Sequence, residues 1–395
     1  MAQGERWSEV LFGPGVDAPV EPPTGSGGIT GRLSAAAGER PSRDEEAIAD
    51  EIARDEAPGT GQSEVRGAHA APTAEEAPAN AAVEAVRSRT PRPSAKTLPD
   101  DELFFGHKAC AGCGGSLAVR AALKVLGPHA VCALPAGCMS AVGFNFPQLC
   151  FANNAMITPF AATAAVLSGI EAGLRAQGKK PEDCTVVGFA GDGGTADIGL
   201  QALSGAIDRN DDILYICYDN EAYMNTGIQK SSLTPFGAKT TTTPAGRHAH
   251  GCLTQKKNLF EIVAAHGIPY AATASIGYLP DFLAKVQKAA GIRGTKYIHV
   301  MAPCPTGWGC DVDETVELAK DVVDCGLWYL AEYEGPAVSG RPGGKFTINR
   351  DIRSFSSVAD YLRRQGRFRA LTNDEVSAVE AGRDEKWKAM RRDWR

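Results

Sequence analysis

Short apolar runs alternate with longer segments of mixed polarity through most of the chain. Four apolar runs predict buried strands, at residues 184–190, 213–218, 270–275 and 297–302, and four mixed segments predict helices, at residues 155–177, 195–210, 258–266 and 279–290. Strands that lack regular alternation and are separated by helices are typical of a parallel sheet covered on both faces. We therefore predict an α/β fold, with ligands beyond the carboxyl ends of the strands.

The first hundred residues have a different composition. They hold only two aromatic residues, Trp7 and Phe12, and 17 acidic against 10 basic residues, whereas residues 101–395 hold 30 against 31. Such a segment buries too little apolar surface to offset the entropy lost on ordering. We expect residues 1–100 to be disordered or strapped on a partner, 101–335 to form the ligand-binding domain, and 336–395 to be a C-terminal extension that packs on the domain or on a partner.

Charge and hydropathy exclude several classes of protein. With 41 basic and 47 acidic residues, the chain is not expected to bind nucleic acid. It has no run of about 18 apolar residues that would span a membrane, and its N-terminus lacks the apolar core of a secretory signal. Eleven cysteines in a cytoplasmic protein are expected to be metal ligands or small core residues rather than disulfides.

A glycine-rich loop follows the first predicted strand of the domain. Gly191-Asp192-Gly193 leads directly into a helix, where glycines let the backbone approach a phosphate and the helix N-terminus supplies N–H groups. An aspartate there can bind the Mg²⁺ that bridges a diphosphate. Asn220 ends the next strand, 28 positions later, so both side chains should meet at one edge of the sheet.

Four cysteines form a second set of candidate ligands. Cys110 and Cys113 are two residues apart, and Cys138 and Cys304 lie in turns rich in glycine or proline. A Cys-x-x-Cys turn with two remote cysteines suits either a [4Fe–4S] cluster or a structural zinc ion. Spacing alone does not separate these alternatives.

These motifs together resemble a known family. Gly-Asp-Gly followed nearly thirty residues later by an asparagine resembles the thiamine-diphosphate motif. Five motifs match, in order, the thiamine subunit of pyruvate:ferredoxin oxidoreductase and its relatives: Gly106-His107…Cys110…Cys113, Gly137-Cys138-Met139, Gly191-Asp-Gly-Gly, Tyr223-Met-Asn-Thr-Gly-Ile-Gln229 and Ala302-Pro-Cys-Pro-Thr-Gly-Trp308. The resemblance covers roughly residues 103–370. Asp219-Asn220 departs from the paired asparagines usual in thiamine enzymes.

The resemblance implies specific ligands. Asp192, the Asn220 side chain and the Ala222 carbonyl would bind Mg²⁺, and the four cysteines would bind a [4Fe–4S] cluster. Gly191, Gly193, Asn225 and Thr226 would contact thiamine diphosphate. Asn225 resembles the active-site amide, although it could also be a turn residue. His107 and Thr306 could approach the site or serve only their loops.

The resemblance also implies an activity and partners. The family oxidises a 2-oxoacid, such as pyruvate or the aromatic phenylglyoxylate, to acyl-CoA and CO2, with coenzyme A as co-substrate and electrons passing to ferredoxin or NAD. The carboxylate that activates the coenzyme comes from a pyrimidine-binding domain, for which this chain has no room. We therefore expect a larger α-type subunit, with γ and ferredoxin-like subunits. The alternatives are a non-redox thiamine-dependent decarboxylase or carboligase subunit and a zinc-stabilised, non-catalytic nucleotide-binding module.

Overall fold

The computed structural model describes residues 93, 96, 98, 99, 102–145 and 147–394. Most of the predicted N-terminal extension lies outside these residues. The described strands are β1 Val131–Pro135, β2 Phe144–Asn145, β3 Gln148–Leu149, β4 Asn154–Thr158, β5 Val186–Gly191, β6 Leu214–Asp219, β7 Ala245–Gly246, β8 Ala249–His250, β9 Tyr270–Ser275, β10 Lys296–Met301, β11 Ala331–Glu334 and β12 Lys345–Ile348. The described α-helices are α1 Gly114–Leu126, α2 Cys138–Gly143, α3 Thr163–Ala176, α4 Asp192–Ala196, α5 Leu200–Asp208, α6 Leu259–Ala264, α7 Leu279–Ala290, α8 Pro305–Trp308, α9 Thr315–Asp324, α10 Pro336–Ser339, α11 Val358–Arg363 and α12 Asn373–Asp393.

Eight of these strands form one sheet, in the order β12-β11-β9-β10-β6-β5-β1-β4. The six strands from β9 to β4 run parallel to one another. Strands β11 and β12 extend the sheet antiparallel beyond β9. The predicted α/β fold with a mostly parallel sheet is confirmed.

Both faces of the sheet are covered by apolar side chains. Strand β6 is buried along its whole length. Tyr215 packs into one core with Leu203 of helix α5, whereas the next residue, Ile216, packs into a second core with Leu123 of helix α1. Successive side chains of a strand point to opposite faces, so a strand buried on both faces is apolar without alternation. Burial on both faces therefore explains the continuous apolar run of β6.

The parallel strands end at a common edge. Gly191 at the end of β5 pairs with Tyr218 of β6, and Asp219 at the end of β6 pairs with Met301 of β10. The loops that follow these strands carry the candidate cofactor and cysteine motifs. The register therefore brings segments about a hundred residues apart to one edge of the sheet.

Two predicted helices were wrong in extent. Residues 154–158 form edge strand β4, paired with β1, so the helix predicted from residue 155 begins only at Thr163. The helix predicted over residues 195–210 is divided into α4 and α5. A side chain at Gly199 would place its Cβ 2.1 Å from the carbonyl oxygen of Gly194, which shows how closely the chain folds back there. No helix in the described part of the chain is long and apolar enough to cross a bilayer.

Candidate cofactor and cluster site

Asp192 is the first residue of helix α4 and is completely buried. The Ser231 hydroxyl donates a hydrogen bond to its Oδ2 atom. Burial, and then the nearby charge of Asp219, raises the pKa of Asp192 well above its ordinary value. Because burial without a counter-charge disfavours a carboxylate, a bound cation would stabilise the ionised form of Asp192.

The Asn220 side chain lies beside two oxygen atoms. In the structure its amide oxygen faces the carbonyl oxygen of Ala222 and Oδ1 of Asp192. If the amide were turned over, its nitrogen would donate to both atoms across 3.0 Å. With its nitrogen toward these two atoms, the amide makes two hydrogen bonds. With its oxygen toward them, it places three oxygens side by side. Only the second orientation can bind a cation.

The loop after Asn220 has an unusual backbone. Glu221 and Ile228 have φ angles of 67° and 63°, a region that β-branched residues such as isoleucine rarely enter. Strain of this kind persists where the surroundings fix the chain. The Thr234 hydroxyl donates to the Glu221 carbonyl oxygen across 2.7 Å, and the Trp308 indole donates to the Asn220 carbonyl oxygen across 2.9 Å. These bonds hold the loop at the carbonyl groups of Asn220 and Glu221.

A buried network of charges lies beneath this loop. Lys256 Nζ lies 2.7 Å from Oδ2 of Asp219 and 2.7 Å from Oε1 of Glu221. His299 Nε2 lies 2.9 Å from the same oxygen of Asp219, and Arg367 pairs with Glu221. Burial alone would raise the pKa of Asp219, but the charge of Lys256 and the hydrogen bond with His299 lower it to about 2.

A narrow cleft collects the predicted cofactor residues. Its lining includes Gly191, Gly193, Asn220, Ala222, Asn225 and Thr226, together with Cys138 and Tyr218. Asn225 is exposed, and the Thr226 hydroxyl donates to Oε1 of Gln229 across 2.6 Å. At Gly193 a Cβ atom would lie 2.4 Å from the Tyr223 ring, so this position has no room for a side chain.

The four candidate cysteines lie near one another. Burial, and then the neighbouring thiols of Cys304, Cys113 and Cys110, raises the pKa of Cys138 to about 12. The Gly114 amide donates to the Pro303 carbonyl oxygen across 3.1 Å and thereby joins the two loops that carry Cys113 and Cys304.

Two of these sulfur atoms accept backbone hydrogen bonds at the start of a helix. Cys113 Sγ accepts from the Ser116 amide of α1 across 3.4 Å, and Cys304 Sγ accepts from the Gly307 amide of α8 across 3.5 Å. Cys138 is the first residue of α2. Donors of this kind stabilise a thiolate over a thiol, but burial outweighs them at Cys304 and raises its pKa to about 11.

Cys252, His107 and Thr306 have the following surroundings. Cys252 is buried, 3.4 Å from the Thr254 hydroxyl. The His107 ring stacks on Phe104 with 4.6 Å between ring centroids, and its Nδ1 atom accepts from the Ala109 amide across 3.3 Å. Thr306 is exposed on helix α8. These contacts of Cys252 and His107 join residues that are close in sequence.

Comparison with known proteins shows the family. Residues 135–300 match the C-terminal TPP-binding domain of thiamine pyrophosphate enzymes. The pyruvate synthase subunit PorB of Methanothermobacter marburgensis is 47% identical over 284 residues, which cover 72% of this chain and 95% of that protein. This chain belongs to the family of 2-oxoacid oxidoreductase β subunits. The ketoisovalerate oxidoreductase subunit VorB of Pyrococcus horikoshii, another member, is 46% identical over 302 residues, which cover 75% of this chain and 94% of the relative.

A solved structure of the 2-oxoglutarate:ferredoxin oxidoreductase from Magnetococcus marinus matches this β subunit with a TM-score of 0.44 and 19% identity, covering 72% of this chain and 97% of that one. The family assignment rests on the sequence relatives. The resemblance inferred from the motifs is confirmed. The relatives also support an oxidoreductase rather than a non-redox carboligase or a non-catalytic module.

The motifs did not reveal the residues that support the loop. Ser231, Lys256 and Arg367 contact Asp192, Asp219 and Glu221 from distant parts of the chain, in contacts that no local pattern predicts. His299 was detectable in principle, because it is the one imidazole in an otherwise apolar stretch of strand β10. A polar residue inside a buried strand requires a partner, and that partner is Asp219.

Proposed function

We propose that this chain holds thiamine diphosphate through a Mg²⁺ ion bound by Asp192, the Asn220 side chain and the Ala222 carbonyl. The observation that supports this most strongly is the 3.0 Å separation between the Asn220 amide and each of the other two ligand atoms. Octahedral Mg²⁺ has Mg–O distances of about 2.0–2.1 Å, so adjacent ligands lie roughly 3.0 Å apart. The Asn220 oxygen therefore lies from each of the other two oxygens at the separation expected of adjacent positions in one octahedron.

The surrounding residues suit an anionic cofactor. Gly191 and Gly193 line the cleft beside Asn220. Gly191 leaves its backbone accessible to a diphosphate, and Gly193 makes room for the Tyr223 ring, which lines the same cleft. Bound thiamine diphosphate supplies the electron sink needed to decarboxylate a 2-oxoacid. Asn225, exposed at the same cleft, would donate a hydrogen bond from its amide to the substrate carboxylate.

We further propose that Cys110, Cys113, Cys138 and Cys304 bind a [4Fe–4S] cluster. The amide donors to Cys113 and Cys304 would stabilise the thiolates that ligate iron. Among the described residues no three His, Cys, Asp or Glu side chains converge on a single ion. A cluster does not need such convergence, since each cysteine binds its own iron. Cys138 lines the same cleft as Asn220, and this placement supports electron transfer from the cofactor site to the cluster.

The proposed activity is CoA-dependent oxidation of a 2-oxoacid to acyl-CoA and CO2 by a hetero-oligomer. Two similar relatives are named for pyruvate and for ketoisovalerate, so pyruvate and branched-chain 2-oxoacids are the first substrates to test, before aromatic ones such as phenylglyoxylate. A larger α-type subunit would supply the carboxylate that activates the coenzyme. The γ and ferredoxin-like subunits would pass electrons to ferredoxin or NAD.

The experiment is a substrate panel with the anaerobically purified complex. Acyl-CoA formation is measured with pyruvate, 3-methyl-2-oxobutanoate, phenylglyoxylate and 2-oxoglutarate, each with and without CoA. We expect CoA-dependent product from at least one acid, and iron, sulfide and thiamine diphosphate in the purified protein. A complex that contains zinc in place of iron, or that forms an aldehyde without any acyl-CoA, would contradict the proposal.

A further inference from the structure

A second cavity, of about 660 Å³, lies between helix α12 and the body of the domain. Its volume is within the range of about 300–1,000 Å³ typical of small-molecule sites. The rings of Phe260, Trp328, Tyr329 and Trp394 form part of its wall. None of the residues proposed to hold thiamine diphosphate or the cluster lines this cavity. The inference below therefore does not depend on the proposed function.

The wall also contains cationic side chains, most of which have carboxylate partners. Lys256 pairs with Asp219 and Glu221, Lys257 pairs with Asp197, Arg367 pairs with Glu221, and Arg383 pairs with Asp384. Each of these four cations therefore has a carboxylate partner. The wall also carries the carboxylates of Glu261, Glu385 and Asp393, of which Asp393 pairs with Arg392, a residue that does not line the cavity.

Lys386 of helix α12 differs from the other cations. Within the part of the chain that the structure describes, no carboxylate lies within ion-pair distance of its ammonium group. Its Nζ atom sits 4.5 Å from the centroid of the Tyr329 ring. Burial lowers the pKa of Lys386 to about 8, against the attraction of Glu261. The side chain is nonetheless exposed, because it faces the open space of the cavity.

We propose that this cavity binds a small organic anion with a planar apolar body, such as an aromatic carboxylate or sulfonate, whose charged group pairs with Lys386. The aromatic walls supply apolar contact for the body of the ligand. Lys386 supplies the counter-charge, which is worth more in a partly desolvated site than on an open surface. One unpaired cation above a cluster of rings matches one negative charge on an aromatic ligand.

The empty space beside Gly382 of helix α12 supports an open cavity. Gly382 lies in the interior of this 21-residue helix and lines the cavity. A Cβ atom at Gly382 would meet nothing within 4 Å. Glycine is a weak helix former in a helix interior, so this position combines a weak helix former with space that a larger side chain could fill.

The test uses the full chain and two fluorescent probes of similar shape, anionic 8-anilinonaphthalene-1-sulfonate and neutral N-phenyl-1-naphthylamine. We expect the anionic probe to bind at least tenfold more tightly to the parent protein. Lys386→Met should weaken the anionic probe at least tenfold and the neutral probe less than twofold, while Lys386→Arg retains binding. Lys388→Met is the matched control, because Lys388 is exposed on the same helix and does not line the cavity.

Gly382→Leu tests the location of the site independently of charge. The new side chain should enter the cavity and abolish binding of both probes without lowering the melting temperature. Equal affinity for the two probes, binding of neither, equal loss in Lys386→Met and Lys388→Met, or full binding by a folded Gly382→Leu variant would each overturn the proposal.

Discussion

Lys256 and Asp219 form a buried ion pair, with 2.7 Å between Nζ and Oδ2, directly beside the proposed metal ligand Asn220. The same ammonium group contacts Glu221 on the other side of Asn220. Lys256 therefore bridges the two carboxylates that flank the ligand, and Arg367 supplies a second positive charge to Glu221. We infer that this contact holds the Asn220 amide in place for the metal.

Lys256→Met should destabilise the protein and weaken cofactor binding. Removing one partner of a buried pair leaves a charge uncompensated and costs about 3–5 kcal/mol; because Lys256 is one-fifth exposed, we expect the lower end of that range. Loss of support for a metal ligand typically weakens binding about 10–100-fold. Calorimetry and titration with Mg²⁺ and thiamine diphosphate measure both effects. Lys257→Met is the control, since Lys257 pairs at 3.4 Å with the more exposed Asp197.

Acid stability gives a second test of the same pair. The pKa of Asp219 is lowered from 3.8 to about 2, so its contribution to stability is present above pH 3.8 and is lost as the pH falls toward 2. Without Lys256 the pKa of Asp219 should rise. Acid unfolding, followed by circular dichroism, should then begin at a higher pH in Lys256→Met than in Lys257→Met. Identical acid transitions in both variants would show that the pair does not stabilise the fold.

Asp192→Ala should abolish binding of Mg²⁺ and thiamine diphosphate, because it removes the anionic ligand from the metal. We expect at least a ~100-fold loss, more than removal of an outer contact causes. The iron–sulfur absorption should remain. Asp197→Asn is the matched control, since Asp197 directly follows helix α4 and its side chain accepts from the Ser232 amide across 3.0 Å. Calorimetric affinity in Asp192→Ala equal to that of the parent would exclude Asp192 as a ligand.

Cys304→Ser should lose iron or become sensitive to oxygen, whereas Cys325→Ser should retain its full iron content. Cys304 lies among the candidate cluster cysteines, and Cys325 is fully buried beneath helix α12, where its carbonyl accepts from Arg383. Iron and sulfide analysis of both purified variants provides the measurement. About four irons in each would assign the fourth ligand to another residue, with Cys252 the first candidate.

The sequence predicted the parts of the fold that local pattern determines. Strand β6 is buried on both faces and was recognisable from its apolar run. Edge strand β4 was missed because its short apolar run, Ala155 to Ile157, continues directly into the Ala-rich segment that forms helix α3, so the two were read as one helix. Asp192 and Asn220 were predictable because their loops follow adjacent strands. The contacts of Ser231 and Lys256 depend on how distant loops pack, and no motif contains that information.

The pKa of Lys386 should lie near 8, below the ordinary lysine value of 10.5, because the walls of the cavity displace part of the water around its charged form. Its amine should therefore become neutral and reactive as the pH rises through about 8. Trace acetylation across a pH series, followed by mass spectrometry of the peptide that carries Lys386, gives the midpoint. A midpoint near 10.5 would show that solvent reaches the amine freely.

We propose that thiamine diphosphate and a [4Fe–4S] cluster act together on this chain. The most direct measurement is the visible spectrum of the anaerobic complex on adding CoA and each 2-oxoacid in turn. We predict that one acid bleaches the absorption near 400 nm, and that the Asp192→Ala complex is bleached by dithionite but by no 2-oxoacid. The contrary result is a parent complex that contains both cofactors and is bleached by dithionite but by none of the 2-oxoacids. That result would contradict the joint action of the two cofactors on this chain.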